Sequence, residues 1–92
     1  MIKTFQHKGL ERFFKTGNKA GVRPQHSEKL GRILVTLNYA LSPEDMTAPG
    51  WRLHPLKGNY QGFWAVWVDQ NWRVVFRFDG EDVELFDYLD YH

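Results

Sequence analysis

The spacing of the hydrophobic residues changes near the middle of this 92-residue chain. In the first half, apolar residues recur every three or four positions, as they do on one face of an α-helix. From Trp51 onwards the period becomes two, which is typical of a β-strand with one buried face. Because the two patterns occupy separate halves, the chain is predicted to be an α+β domain with its helices first and its sheet last.

Two amphipathic helices and a short third are predicted in the first half, after a short strand over residues 2–6. The first helix covers about residues 7–15 and ends before Gly17, since glycine commonly follows the last turn of a helix. The second begins near Pro24, because proline suits the first turn. Its apolar stripe consists of Leu30, Ile33, Leu34, Leu37 and Leu41. Residues 42–45 combine a serine, a proline and two acids, a pattern that predicts the short third helix.

An antiparallel meander is predicted in the second half. Two alternating segments, residues 63–68 and 72–78, flank a polar turn. Residues 79–80, Asp-Gly, are a strong hairpin signal and lead into a last strand over about residues 82–91. The buried face of that strand is ambiguous, because two apolar sets alternate in opposite phase: Val83, Leu85 and Leu89 against Phe86 and Tyr88. Residues 1–92 are predicted to form a single domain whose helices pack on an antiparallel sheet.

Composition excludes several classes of protein. The chain has no cysteine, so it offers no disulfide or thiolate chemistry. It has no apolar run long enough for a signal peptide or a membrane span, so we expect a cytoplasmic protein without a membrane partner. Four Trp and seven Phe supply apolar surface that a chain of this length otherwise lacks.

Charge is unevenly distributed along the chain. Residues 1–78 contain all 12 Lys and Arg and only five acids, so their formal charge is +7. Residues 79–92 contain the other six acids and neither Lys nor Arg, so their formal charge is −6. A basic body fits a polyanionic partner, with nucleic acid the leading candidate. In the alternative interpretation, the acidic last strand pairs with basic neighbours inside the sheet.

Groups suited to cutting a phosphodiester occur in and around the predicted sheet. His54 and His92 supply imidazoles, Asp90 a carboxylate, and Arg73 and Arg77 lie on a strand between the two histidines. Cleavage of RNA without a metal requires a base for the 2′-OH proton, a cation for the phosphorane and an acid for the departing 5′-oxygen. Histidine titrates near neutrality and can serve as base or acid. The hypothesis requires the two imidazoles to converge over the sheet face that carries the arginines.

Several of these residues also have a purely structural interpretation. Arg73 and Arg77 lie on a strand, where arginines commonly pair with cross-strand acids such as Glu84 or Asp82. His54 precedes a proline and could be a capping or core histidine.

A metal site is a further alternative. His54, Asp90 and His92 could hold a divalent cation with two imidazoles and a carboxylate, but the chain has no usual metal-binding spacing. The prediction is therefore a site without metal or cofactor. The other two histidines considered, His7 and His26, are interpreted as surface residues.

Four segments of the chain carry a family resemblance. They read IKTFQHKGL at residues 2–10, LHPLKG at residues 53–58, NWRVVF at residues 71–76 and DYLDYH at residues 87–92. With these segments the chain resembles the HigB toxins of bacterial toxin–antitoxin systems, within the RelE/ParE toxin superfamily. The Trp-Arg strand and the Asp-Tyr-His ending are specific in combination, and the resemblance covers nearly the whole chain.

The resemblance implies a compact, microbial ribonuclease-like RelE/ParE fold. It implies an endoribonuclease, an mRNA interferase, that cuts mRNA in the A site of the ribosome by attack of the 2′-OH. It also implies two kinds of partner. One is the ribosome with its rRNA and mRNA, and the other is a HigA-type antitoxin with a helix-turn-helix domain.

The resemblance also implies which residues do the chemistry, namely His54, Arg73, Asp90, Tyr91 and His92. Either His54 or Asp90 would be the general base, and His92 the acid. Arg73 would stabilise the phosphorane, and Tyr91 would orient or stack on a base. Contacts to RNA and the ribosome are expected from further cations: Lys8, Lys15, Lys19, Arg23, Lys57 and Arg77.

Two other functions fit the same fold. The superfamily also contains ParE-type proteins, which inhibit gyrase and lack the nuclease residues, and fold alone does not separate the two kinds. A non-toxic RNA-binding module, in which Trp and Arg serve packing and phosphate contact, is the other alternative. The presence of His54, Asp90 and His92 together favours the nuclease.

Overall fold

The structure is a computed structural model that describes residues 1–90. The helices are α1 (Lys8–Thr16) and α2 (Ser27–Tyr39), and the strands are β1 (Ile2–Phe5), β2 (His54–Pro55), β3 (Trp64–Trp67), β4 (Trp72–Asp79) and β5 (Asp82–Asp90). Three 3₁₀ turns are formed by Pro24–His26, Pro43–Met46 and Gly58–Tyr60. The α+β class predicted from the change of period is confirmed. Within the described residues, no helix combines the length and the apolar character needed to cross a membrane.

Both ends of α1 follow the sequence signals. His7 is the N-cap, and its Nδ1 accepts a hydrogen bond of 3.0 Å from the backbone N–H of Leu10. At the other end, Gly17 adopts a left-handed φ of 77°, and its N–H donates to the carbonyl of Phe13. Glycine adopts this conformation at little steric cost, so the helix ends where the sequence predicts.

The apolar stripe of α2 is shorter than predicted. Leu30, Ile33, Leu34 and Leu37 are completely buried, but Leu41 is 63% exposed, so its assignment to the stripe was wrong. The reason is that the chain leaves the helix at Ala40, which has an extended backbone. The predicted third helix is a single 3₁₀ turn, Pro43–Met46. Asp45 Oδ2 caps it by accepting from the N–H groups of Leu41 and Ser42.

The five strands form one sheet in the order β1-β5-β4-β3-β2. The pairs β2–β3, β3–β4 and β4–β5 are antiparallel, as the meander predicts. In addition, β1 joins the edge of β5 in parallel, with Phe5 opposite Leu85, a pairing that the prediction of a C-terminal antiparallel sheet did not include. Parallel neighbours need a long crossover, and here the helices and the other strands lie between β1 and β5 in the chain.

A β-bulge explains why the buried face of β5 was ambiguous. Val75 pairs with Asp87 and Phe76 pairs with Leu85, so Phe86 is the extra residue. Leu85 before the bulge and Tyr88 after it both face the core, although they are three residues apart. An extra residue reverses the alternation of side chains, so both apolar phases of the sequence are used, one on each side of Phe86.

The two faces of the sheet have different roles. The helices cover one face, where Leu10, Leu30 and Ile33 pack in one cluster with Val74 and Phe76 of β4. The opposite face of β4 carries Arg73, Val75 and Arg77, and we call it the arginine face. Part of it is covered by an aromatic group in which the rings of Tyr60, Phe63 and Phe86 lie within 6.0 Å of one another.

Candidate active site

His54 lies on the arginine face. Its backbone pairs with Ala65 of β3, which pairs with Val75 of β4, which pairs with Asp87 of β5. Directly paired residues share a sheet face, so these four residues form one row across the sheet. His54 is thus one strand away from the arginine strand, on the face where the hypothesis requires it.

A backbone hydrogen bond fixes the orientation of the His54 imidazole. Its Nδ1 lies 2.9 Å from the carbonyl oxygen of Arg52. A carbonyl only accepts, so Nδ1 carries the proton in this contact. In the neutral ring, Nε2 then has the free lone pair and can take a proton from a substrate.

Arg73 occupies the next row of the same face. It pairs with Trp67 on one side and Leu89 on the other, and its guanidinium carbon lies 4.1 Å from the centre of the Trp67 ring. The side chain is 8% exposed, and Nη1 donates to the carbonyls of Asp69 (2.9 Å) and Gln70 (3.1 Å). Arg73 therefore also holds the turn between β3 and β4.

Arg77 follows the structural interpretation made from the sequence. Its Nε donates to Glu84, the residue directly opposite on β5, and its guanidinium lies 5.2 Å from the ring of Phe63. The hydrogen bond from Arg77 to Glu84 raises the pKa of the guanidinium above its usual value. An RNA phosphate that bound Arg77 would have to compete with this carboxylate.

Asp90 is the last described residue. It pairs with Trp72, one step beyond the Arg73–Leu89 pair, and it is exposed. By alternation it lies on the Trp72 side of the sheet and not on the side of Arg73. The other two predicted catalytic residues, Tyr91 and His92, lie outside the described residues, so the convergence of the two imidazoles stays a prediction.

The cations predicted to bind RNA are dispersed. Lys8 and Lys15 lie on α1, where both contact Glu11, at 3.6 and 3.0 Å. This helix covers the face opposite the arginine face, so the structure does not bring these lysines together with His54. Lys19 is exposed in the loop after α1.

Two further predicted cations lie nearer the sheet. Arg23 is exposed, and its guanidinium lies 5.4 Å from the ring of Trp72. Lys57 is exposed three residues after His54, immediately before the turn Gly58–Tyr60. Along the sequence, Lys57 is therefore the predicted RNA-binding lysine nearest to His54.

Arg52 is a residue of this region that sequence reasoning did not single out. Its guanidinium lies 4.5 Å from the centre of the same Trp67 ring that Arg73 contacts. Its backbone has a φ of 49°, in the left-handed region. The available signal was an arginine two residues before a candidate catalytic histidine.

The interpretation of His26 as a surface residue was wrong. The side chain is 3% exposed, with Nε2 2.6 Å from Asp69 Oδ2 and Nδ1 2.6 Å from Tyr88 Oη. Burial raises the pKa of Asp69, but hydrogen bonds from His26 and from the N–H groups of Trp72 and Asn71 outweigh it and lower the pKa to about 2. Burial raises the pKa of Tyr88. His26 thus joins the start of α2 to the sheet.

Within residues 1–90, no three His, Asp or Glu side chains lie close enough together to hold a metal ion. The ligand set considered from the sequence also included His92, which lies outside that range.

The fold is that of small bacterial toxins of known structure. The YoeB/ParE toxin from Agrobacterium tumefaciens superposes with a TM-score of 0.63 at 17% identity, covering 100% of this chain and 96% of that one. The YoeB–YefM complex from Staphylococcus aureus gives a TM-score of 0.63 at 18% identity, covering 100% of this chain and 98% of the matched chain. At these identities the likeness establishes the fold.

Sequence comparison establishes the family. The sequence model of the HigB-like toxin family matches residues 3–92. This family is described as the RelE-like toxins of type II toxin–antitoxin systems. The chain is 37% identical to Endoribonuclease HigB of Proteus vulgaris over 92 residues, covering all of both chains. It is 34% identical to Toxin HigB-1 of Vibrio cholerae over 95 residues, covering 100% of this chain and 98% of the relative. The chain therefore belongs to the HigB-like toxin family, and an antitoxin partner is expected.

Proposed function

We propose that this protein is a ribosome-dependent endoribonuclease that cleaves mRNA in the A site. The observation that carries the proposal is the fixed imidazole of His54, which lies on the arginine face with Nδ1 bonded to the Arg52 carbonyl. The relative from Proteus vulgaris, named an endoribonuclease, supports the same activity. Since the fold is shared with the YoeB/ParE toxin from Agrobacterium tumefaciens, the nuclease assignment depends on the site and on the family.

The proposed reaction uses side chains alone. His54 Nε2 takes the proton of the 2′-OH, and the 2′-oxygen attacks the adjacent phosphorus. The bond from phosphorus to the 5′-oxygen breaks, leaving a cyclic phosphate, while His92 protonates the departing 5′-oxygen. Arg73 stabilises the charge on the phosphorane, and Tyr91 orients the substrate. Asp90 is the alternative base, but the tautomer of His54 favours the histidine.

The ribosome is proposed to hold the mRNA substrate over this open site. His54 and Arg73 lie on one sheet face and do not enclose a substrate, so the mRNA must be held in line for attack by another body. Exposed cations on this chain, such as Lys19, Arg23 and Lys57, would contact phosphates of rRNA and mRNA. The proposed action on translating ribosomes implies a cytoplasmic protein.

The antitoxin is proposed to be of the HigA type, with a helix-turn-helix domain. Membership of a type II toxin–antitoxin family makes a protein antitoxin the expected partner. The YoeB–YefM complex is a solved example of such a fold bound in a complex.

Primer extension on cellular mRNA after induction tests the proposal. Wild-type protein should produce discrete cuts, and His54→Ala should reduce cleavage by about 10²–10⁴-fold, the usual contribution of a general base. His7→Asn is a matched control, because it also removes an imidazole but leaves a residue that caps a helix. A ParE-like binding toxin would instead arrest growth with DNA damage, without mRNA cuts, and equally well with alanine at position 54.

A further inference from the structure

Arg52 has an unusual backbone conformation. It is the only non-glycine residue among residues 1–90 with a positive φ, and its φ is 49°. Crowding of the side chain disfavours this region for arginine. Such outliers persist where the surrounding structure fixes them, and they cluster at functional sites.

The neighbours of Arg52 show what fixes it. On one side, the carbonyl of the buried Trp51 accepts a hydrogen bond of 2.6 Å from the N–H of Trp67. On the other side, His54 pairs with Ala65 of the same strand. The chain is therefore attached to β3 before and after Arg52. The turn between these attachments directs the Arg52 carbonyl towards Nδ1 of His54, at 2.9 Å.

The side chain of Arg52 is available to a ligand. It is exposed, and none of the ion pairs formed by residues 1–90 includes it. Its contact is the face of Trp67, at 4.5 Å, and the same ring also holds Arg73 at 4.1 Å. The indole attracts both cations and keeps two like charges on the arginine face.

An exposed, oriented guanidinium suits a phosphate. It presents several N–H donors in one plane, which match two oxygens of a phosphodiester. Arg77 differs in this respect, since Glu84 already occupies it. Arg52 is thus the exposed arginine that is both oriented by an aromatic ring and joined through its backbone to His54.

We propose that Arg52 binds a backbone phosphate of the RNA beside the scissile linkage, and that its carbonyl holds His54 in the tautomer that leaves Nε2 free. This inference rests on the proposed function and adds a residue to the same site. Arg52 is a binding residue through its guanidinium and a positioning residue through its carbonyl. The two roles reside on different atoms, so substitutions can separate them.

Arg52→Gly isolates the guanidinium. Glycine adopts the positive φ without strain and keeps the carbonyl, so the imidazole ¹⁵N shifts of His54 should stay at the wild-type values. Binding to ribosomes programmed with mRNA that carries a 2′-deoxy residue at the cleavage position should weaken by about tenfold. The plot of the logarithm of the association constant against the logarithm of the salt concentration should become less steep by about 0.7. This is the value for the loss of one phosphate contact with a single strand.

Two further variants complete the test. Arg32→Ala removes an exposed arginine from α2 and matches the change in charge, so it should leave binding and rate unchanged. Arg52→Val places a β-branched residue at positive φ, which should displace the carbonyl, alter the His54 ¹⁵N shifts and lower the single-turnover rate. Circular dichroism checks that each variant is folded.

Several outcomes would overturn the inference. Equal binding by the Arg52→Gly and Arg32→Ala proteins would remove the phosphate role. Unchanged ¹⁵N shifts and rate in a folded Arg52→Val protein would remove the positioning role. The binding and NMR measurements do not require cleavage, so a wild-type protein that binds with the expected dependence on Arg52 but does not cut mRNA would contradict the proposed function and not this inference.

Discussion

His26 and Asp69 are joined by a short hydrogen bond, with Nε2 2.6 Å from Oδ2. A carboxylate accepts, so Nε2 donates, and in the neutral ring Nδ1 accepts the hydroxyl proton of Tyr88. Tyr88 Oη in turn accepts from the backbone N–H of Arg23, at 3.3 Å. This chain of hydrogen bonds links the loop before α2, the turn after β3 and the core face of β5.

The first prediction concerns acid stability. The folded-state pKa of Asp69 is about 2, below its ordinary 3.8, so its stabilising effect is present above pH 4 and is lost as the pH falls towards 2. The side chain is 46% exposed, so we expect about 1 kcal/mol after allowing for screening by solvent. Urea unfolding from pH 2 to 7 measures this effect. Asp69→Asn should flatten the plot of unfolding free energy against pH between pH 4 and 2. Glu28→Gln, a control at an exposed acid, should follow the wild-type plot. Parallel plots for all three proteins would show that Asp69 does not cause the loss of stability in acid.

The second prediction concerns the hydroxyl of Tyr88. Tyr88→Phe keeps the ring in the core but leaves His26 Nδ1 and the N–H of Arg23 without this partner. Loss of a buried partner should lower the free energy of unfolding by about 1–3 kcal/mol. Chemical denaturation measures the change, and Tyr39→Phe, at a side chain that is 79% exposed, is the control. Equal stability of the two variants would mean that the hydroxyl contributes nothing to the fold.

Much of the fold follows from local patterns that the sequence displays. The capping residue at Gly17, the buried stripe of α2 and the Asp79-Gly80 hairpin each depend on residues within a few positions of one another. The parallel attachment of β1 to β5 does not, because it joins residues about 80 positions apart and nothing in residues 2–6 specifies the partner. In the sequence, the bulge at Phe86 showed only as an uncertainty about which face of β5 is buried. One extra residue reverses the alternation, so one set of apolar residues faces the core before the bulge and the other set after it.

The candidate site was predictable to the extent that it depends on strand position. The position of His54 one strand from Arg73 follows from the order of a meander. An acidic partner of Arg77 on β5, either Glu84 or Asp82, was one interpretation of the sequence. The register of β4 and β5 places Glu84 opposite Arg77. The burial of His26 could not be foreseen, because its partners lie 43 and 62 residues away. The conformation of Arg52 is also unforeseeable, since arginine rarely adopts a positive φ.

The third prediction tests whether Arg77 is available to RNA. Glu84→Gln removes the carboxylate that Arg77 contacts, so the affinity for ribosome-bound mRNA should rise by about threefold while the fold is kept. Asp82→Asn removes another acid from β5, one that pairs with Lys3, and provides the control for charge. If Arg77 is the cause, adding Arg77→Ala should abolish the gain in a double-mutant cycle. An equal gain from both acid variants would show a general effect of charge.

The fourth prediction compares two leucines from the stripe that the sequence predicted as one. Leu37 is completely buried against the sheet, whereas Leu41 lies after the end of α2 and is 63% exposed. Leu37→Ala should lower the free energy of unfolding by about 2–5 kcal/mol, since it removes transfer energy and leaves a cavity. Leu41→Ala should change it by less than about 0.5 kcal/mol, as surface substitutions usually do. The two variants remove the same atoms, so a comparable loss of stability in urea would mean that α2 continues through Ala40 and buries Leu41.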